Sequence, residues 1–193
     1  MTFANLTEYQ KGKTFVFFVR HGNYNNEIKL NHRIPGVGLN FLGKKQAKEV
    51  AEKFFKFKDE VDVLYSSNMA RAIETAKEIG KKINKKIIIC EGISEFNKFV
   101  WTKKIYHKNF WKHYKLYRIS LKKFNEIILK HKEEVVIIVA HGNVIKGIIG
   151  NKLGLGMKNI GKLWHDNCAV TFARFNGKKL DYINYFNNRG KLR

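Results

Sequence analysis

Short apolar runs alternate along the chain with longer stretches whose apolar positions recur at helical spacing. Thr14 to Val19 is the first run; it ends at Arg20-His21-Gly22 and predicts a buried strand that opens into a loop. From Gly43 to Phe57, Ala47, Val50, Ala51, Phe54 and Phe55 can share one face of a helix. Val61 to Tyr65 predicts a second strand, closed by Ser66-Ser67-Asn68, and a helix follows from Ala70 to Lys82. Lys86 to Cys90 is a third strand candidate. The pattern then breaks up: from Phe96 to Tyr117 the chain is aromatic and basic without a clean period. A helix is predicted from Arg118 to Lys130, with Leu121, Phe124, Ile128 and Leu129 on one side. Glu134 to Ala140 is the most strand-like segment, ends at His141-Gly142-Asn143, and precedes a helix from Val144 to Leu153. The rest predicts a hairpin, Ala169 to Phe175 and Leu180 to Phe186, turning at Asn176-Gly177.

Strands alternating with helices imply an α/β fold, a three-layer α/β/α arrangement with a mostly parallel central sheet covered on both faces. In such folds the chemistry lies beyond the carboxyl ends of the strands. Three predicted loops fall there: Arg20-His21-Gly22, Ser66 to Arg71, and His141-Gly142-Asn143. The length of 193 residues, 44% of them hydrophobic, fits one domain over residues 1–193, with 1–13 as an N-terminal arm. No linker or repeat divides it.

Composition narrows the classes. The longest apolar stretch, Val135 to Ala140, is far too short to cross a membrane. The polar start lacks the apolar segment of a secretory signal. Cys90 and Cys168 are too few for a disulfide framework and lack zinc spacing. An intracellular, cytoplasmic location is the expectation, with a removed targeting segment left open. The formal charge of +22 favours anionic partners by steering. Its cations are scattered and form no continuous basic arm, so nucleic acid is not an expected partner.

The candidate chemistry concerns phosphate. The Arg20 guanidinium matches a phosphate fork and stays charged, and the neighbouring His21 imidazole, when neutral, can attack phosphorus. Ser66 and Ser67 can cap the helix that carries Arg71, whose first turn would aim N–H groups and a second guanidinium at an anion. His141 would stand over the start of another helix. Taken singly, each has an ordinary explanation as a surface or strand-end residue. Together, two Arg and two His at strand ends make a pocket for a dianionic phosphoryl group.

These residues resemble the histidine phosphatase superfamily, also called phosphoglycerate-mutase-like. Phe17-Phe18-Val19-Arg20-His21-Gly22 is similar to its signature, Ser66-Ser67 through Arg71-Ala72 to Thr75-Ala76 to its second motif, and Val139-Ala140-His141-Gly142-Asn143 to its third. Leu39-Asn40-Phe41-Leu42-Gly43-Lys44-Lys45-Gln46-Ala47 and Asn167-Cys168-Ala169-Val170 resemble two further family segments. The resemblance implies a phosphoglycerate-mutase-like fold and a phosphohistidine formed on His21. Arg20, Arg71 and His141 would then hold the phosphoryl oxygens, with no metal and no other cofactor. It implies a carboxylate proton donor just after the third strand: Ile93-Ser94-Glu95 makes Glu95 the choice, with Glu91 the competitor. Asn23, Gly142 and Asn143 are the further phosphate-binding candidates. The resemblance also makes residues 96–117 a substrate lid, whose aromatics either meet the substrate or pack on the body and leave the lysines in water.

Departures from the mutase pattern point to the phosphatase branch. Asn23-Tyr24-Asn25-Asn26-Glu27 replaces the mutase Glu-Ser-x-Trp-Asn, and Glu95 is followed by Phe96-Asn97-Lys98 where mutases have Arg-His-Tyr-Gly. Within that branch, Ser66 to Thr75 and His141 to Lys146 are most similar to phosphoglycerate mutase family member five, a protein serine/threonine phosphatase. The expected substrate is accordingly a phosphorylated protein. A small sugar phosphate, phosphoglycerate mutation and an inactive anion-binding scaffold are the alternatives, and a homodimer is the candidate assembly.

Overall fold

The computed structural model describes residues 11–25, 36–101 and 108–192. Most of the expected N-terminal arm, residues 1–10, and the centre of the expected lid, residues 102–107, lie outside them, as do Asn26 and Glu27.

Six strands form one sheet in the order β3-β2-β4-β1-β5-β6. They are β1 (Lys13–Arg20), β2 (Val63–Ser66), β3 (Ile87–Ile89), β4 (Val135–Ala140), β5 (Val170–Asn176) and β6 (Lys179–Asn188). The first four run parallel; β5 pairs antiparallel to β1, and β6 returns antiparallel to β5. The helices are α1 (Phe41–Phe55), α2 (Ala70–Ile83), α3 (Phe110–Lys130), α4 (Gly142–Lys152) and α5 (Met157–Lys162).

The pleat of β1 sorts its side chains between two cores. Phe15, Phe17 and Val19 pack with Val50 and Phe54 of α1 and with Ala72, Ala76 and Ile79 of α2. Val16 and Phe18 pack on the other face with Phe124 and Ile128 of α3 and with Val144, Ile145 and Ile148 of α4. Burial on both faces explains why β1 and β4 read as continuous apolar runs instead of alternating ones. The fold is the expected α/β/α one with a mostly parallel sheet.

Three expectations need correction. Helix α3 begins at Phe110, not Arg118, so the last third of the expected lid is helical. Phe110, Tyr114 and Tyr117 lie four and three residues apart and face inward, but the exposed Trp111 between them hides that period. At the other end of the lid, Phe96, Val100 and Trp101 are buried in the α3–α4 core instead of standing over a substrate. Finally, neither Ser66 nor Ser67 caps α2: its N-cap is Met69, with no side-chain cap bond.

The register places the site. Arg20 pairs with Ala140, so His21 and His141, the next residue on each strand, emerge side by side. Ser66 pairs with Val139 on the other flank of β4, bringing Ser67 to the same level.

Candidate active site

His21 is 1% exposed. Its Nδ1 lies 2.8 Å from the Gly22 carbonyl oxygen, which can only accept, so Nδ1 carries the proton. Its Nε2 accepts from Arg71 Nε at 3.2 Å. Both contacts define one neutral tautomer with its lone pair on Nε2. Burial, and next the Arg71 charge, hold the His21 pKa well below its ordinary value. The ring is therefore neutral in neutral solution, with the Nε2 lone pair turned toward Arg71.

The loop that carries His21 is clamped from three sides. Asn167 donates to the His21 carbonyl at 2.9 Å, and Gly22 N–H donates to Thr75 Oγ1 at 3.0 Å. Asn23 N–H donates to Gln46 Oε1 at 2.8 Å, while Asn40, the N-cap of α1, donates to Asn23 Oδ1 at 2.7 Å and accepts from Gly43 N–H at 2.8 Å. The approach is close enough to exclude side chains: a Cβ on Gly43 would fall 1.9 Å from Asn23 O, and one on Gly22 would fall 2.6 Å from Gly43 O. The Leu39–Ala47 segment thus owes its pattern to holding the loop after β1.

Arg71 is 2% exposed, and Tyr24 stacks under its guanidinium at 4.5 Å. Arg20 Nη1 donates to the His165 carbonyl, and the Arg20 side chain lies over Gly142, where a Cβ would meet its Nε at 3.4 Å. The Arg20 side chain thus lies in van der Waals reach of the start of α4. His141, N-cap of that helix, has its ring centroid 5.0 Å from that of His21 and its Nε2 2.8 Å from Ser67 Oγ. Ser67 thus orients a histidine. Burial, then electrostatic coupling to the neighbouring His21 and the charges of Arg71 and Arg20, lower the His141 pKa well below its ordinary value. Arg20 Nε and His141 Nδ1 are buried with no hydrogen-bond partner among the described residues. Two unsatisfied polar atoms beside His21 are a cost that a bound oxyanion would remove.

Glu95 Oε2 lies 3.9 Å from His141 Nδ1. Burial raises its pKa against the opposing pull of Arg71 and Arg20. Glu91 instead stands on the solvent side, in a 3-10 turn (Glu91–Ile93) beside Lys123 and Lys130 in a hollow away from the histidines. The structure brings Glu95, and not Glu91, to the site. Asn143 adjoins the site through a side-chain hydrogen bond to Glu95, while its Oδ1 accepts from Trp101 Nε1 at 2.9 Å and its Nδ2 donates to the Phe96 carbonyl at 2.9 Å, which also ties the 96–101 segment to α4.

His21, Glu95 and His141 place potential ligand atoms within 4.8 Å of one another. By residue type the three could hold a cation. The His21 lone pair, however, already receives an N–H from Arg71, and Arg20 carries a second positive charge to the same strand ends, so the set suits an anion. The roles of Tyr24, Ser67, Thr75 and Asn167 were not foreseen. Ser67, Thr75 and Asn167 lie within the motifs, but their partners come from other elements.

Comparison with known proteins agrees with this geometry. The family model described as "Histidine phosphatase superfamily (branch 1)" matches residues 16–121 and 115–188. A Hydrogenobacter thermophilus protein named "Putative phosphoserine phosphatase 2" is 28% identical over 194 residues, covering 88% of this chain and 94% of its own. Among solved structures, an Entamoeba histolytica phosphoserine phosphatase in complex with 3-phosphoglyceric acid superposes with a TM-score of 0.69 at 22% identity. That match covers 93% of this chain and all of the other. An Escherichia coli "putative alpha-ribazole-5'-P phosphatase" reaches 0.76 at 14% identity, again over 93% of this chain and all of the other. With the matched family spanning nearly the whole chain and its signature residues converging at the strand ends, this protein belongs to the histidine phosphatase superfamily, branch 1.

Proposed function

We propose that the chain is a phosphoric monoester hydrolase that uses no metal, forms a phosphohistidine on His21, and acts on small alkyl phosphates. The observation that carries this reading is the fixed His21 tautomer, with Nε2 free of a proton between two guanidiniums and a second neutral histidine. In the first step His21 Nε2 forms a bond to phosphorus as the ester P–O bond breaks. Arg71 turns its N–H from the lone pair to a phosphoryl oxygen, and Arg20 and His141 balance the remaining charge. Asn23 and the first N–H groups of α4, from Gly142 onward, are candidates for further phosphate contacts. Glu95, protonated, gives its proton to the leaving alkoxide. In the second step the Glu95 carboxylate takes a proton from water, the water oxygen bonds to phosphorus, and the P–N bond breaks.

The relative's name supports a small substrate such as phosphoserine. The protein serine/threonine phosphatase reading rests on the similarity of Ser66–Thr75 and His141–Lys146 to that group and is the finer alternative. Mutase chemistry is disfavoured by Phe96-Asn97-Lys98 after Glu95.

The test is rapid quench with radiolabelled substrate. An alkali-stable, acid-labile phosphoenzyme is expected, absent in His21→Ala, with turnover indifferent to EDTA. Strong Mg²⁺ dependence, or a phosphoenzyme that survives His21→Ala, would refute the mechanism. Phosphoserine, sugar phosphates and phosphopeptides assayed side by side decide the substrate class. Phosphopeptides turned over far faster than phosphoserine would favour the protein-phosphatase reading.

A further inference from the structure

Helix α4 carries two cations that the phosphoryl chemistry does not use; Lys152, at its far end, donates to Asn125 Oδ1 and the Lys178 carbonyl, which leaves Lys146. Lys146 follows Gly142 by four residues and Asn143 by three, so the three share one face of the helix. Helical side chains lean toward the N-terminus, which here is the end that meets His21 and Arg20. Lys146 is half-buried, and its Nζ lies 5.8 Å from the centre of the Trp101 ring. That side chain is closely packed: Asn143 accepts from its Nε1, a Cβ on Gly147 would fall 2.9 Å from its ring, and one on Gly161 would fall 2.9 Å from its Cβ.

The charges around Lys146 are unbalanced. No carboxylate pairs with it among the described residues. Glu95 is its attractive neighbour, while Arg20 and Lys98 repel it. A half-buried ammonium facing two other cations in a chain of net charge +22 is costly unless an anion meets it there. The phosphoryl group is already matched by Arg20 and Arg71. Lys146 roots a full turn further along α4, about 6 Å from Gly142 at ~1.5 Å per residue, so it addresses a part of the substrate beyond the ester oxygen.

We propose that Lys146 is a specificity residue that binds a carboxylate on the alcohol portion of the substrate, so that the preferred substrates are phosphate esters of hydroxy acids. The ammonium donates to the carboxylate against the flat face of Trp101. Lys146 takes no part in bond making, and a phosphate ester without the acid group is hydrolysed without its help. This assignment rests on the phosphomonoesterase reading above.

Two probes separate the effects. 3-Phosphoglycerate and glycerol 3-phosphate share a three-carbon skeleton and a primary phosphate ester, and differ in a carboxylate against a hydroxymethyl group. Wild-type enzyme is expected to prefer 3-phosphoglycerate. Lys146→Met should lower kcat/KM for it by about tenfold or more, the scale of one lost charged hydrogen bond, and mostly through KM. Glycerol 3-phosphate hydrolysis should stay near wild type, and Lys146→Arg should retain most of the preference. Equal losses on both probes, or no loss on either, would overturn the assignment while His21-dependent turnover left the phosphatase reading intact. Turnover of para-nitrophenyl phosphate with neither alkyl ester accepted would also overturn it. No His21-dependent turnover of any of the three would remove the phosphatase reading itself.

Discussion

Arg71 and His141 contribute through the geometry that burial imposes on them. Arg71 is held by Tyr24 and aimed at His21 Nε2, and His141 is held by Ser67, so each is oriented before a substrate arrives. Removing one such preoriented group costs about a hundredfold in rate or more. Arg71→Ala and His141→Ala should each lower kcat on para-nitrophenyl phosphate by that factor; near wild-type rates in both would show that the phosphoryl group binds elsewhere. Glu95 has a narrower task. Its carboxyl is pushed up by burial, so it keeps its proton to a higher pH than an ordinary glutamate and loses it as the pH rises further. Hydrolysis of alkyl phosphates should fall along that rise, because an alkoxide needs the proton, whereas para-nitrophenolate leaves with little help. Glu95→Gln should therefore slow phosphoserine far more than para-nitrophenyl phosphate and abolish the alkaline fall. Glu91→Gln serves as the control and should leave both near wild type. Equal slowing on both substrates in Glu95→Gln would assign Glu95 to positioning.

Among elements, the contact of greatest consequence is that between the loop after β1 and the first turn of α1. Gly43 lies against the backbone oxygen of Asn23, two residues from the nucleophile, and neither partner is a flexible side chain that could swing aside. Gly43→Ala must push the loop or the helix away. A loss of about 1–3 kcal/mol of stability is expected, the usual range for overpacking, read as a lower urea midpoint. A fall in kcat at constant folded fraction should accompany it. Unchanged kcat would mean that the clamp is not needed to aim His21. On the opposite side of the site, α3 and α4 pin Trp101, and through it the end of the 96–101 segment. The expected lid is thus anchored at both of its described ends, by Phe96 and Trp101 before and by Phe110 and Tyr117 after.

For the whole molecule, the buried histidines govern the response to acid. His21 and His141 are held well below the ordinary 6.5, and His165, also buried, is lowered to about 4. Folded, they stay neutral as the pH falls below 6.5; unfolded, they take up protons. The unfolded state then binds more protons, so the stability present above pH 6.5 drains away between there and about pH 4. Glu95 acts in the opposite sense, because its raised pKa lets the folded form gain the proton first, but one carboxyl opposes three imidazoles. The urea midpoint is expected to drop between pH 7.5 and pH 5. A flat or rising midpoint would show that the histidines are protonated in the folded protein. No helix among the described residues is long and apolar enough to cross a membrane.

The sequence alone determined what depends on neighbours along the chain. The apolar runs marked β1, β2 and β4 because strands buried on both faces need uninterrupted hydrophobic residues. The resemblance of the Arg20-His21-Gly22 and His141-Gly142-Asn143 segments marked the groups suited to phosphate. The tertiary structure decided everything that joins distant segments. His21 meets His141 because β1 and β4 pair in parallel with Arg20 opposite Ala140, and a register is a property of two strands together. Ser67 passed for a helix cap because its sequence context is that of a cap; only the adjacency of β2 and β4 turns its hydroxyl to His141. The start of α3 stayed hidden because Trp111, an exposed aromatic, breaks the pattern that Phe110, Tyr114 and Tyr117 would otherwise display. The choice between Glu95 and Glu91 was likewise tertiary. They lie four positions apart in the chain, but the turn between them leaves one carboxyl beside His141 and the other in solvent, and burial is what tunes the first.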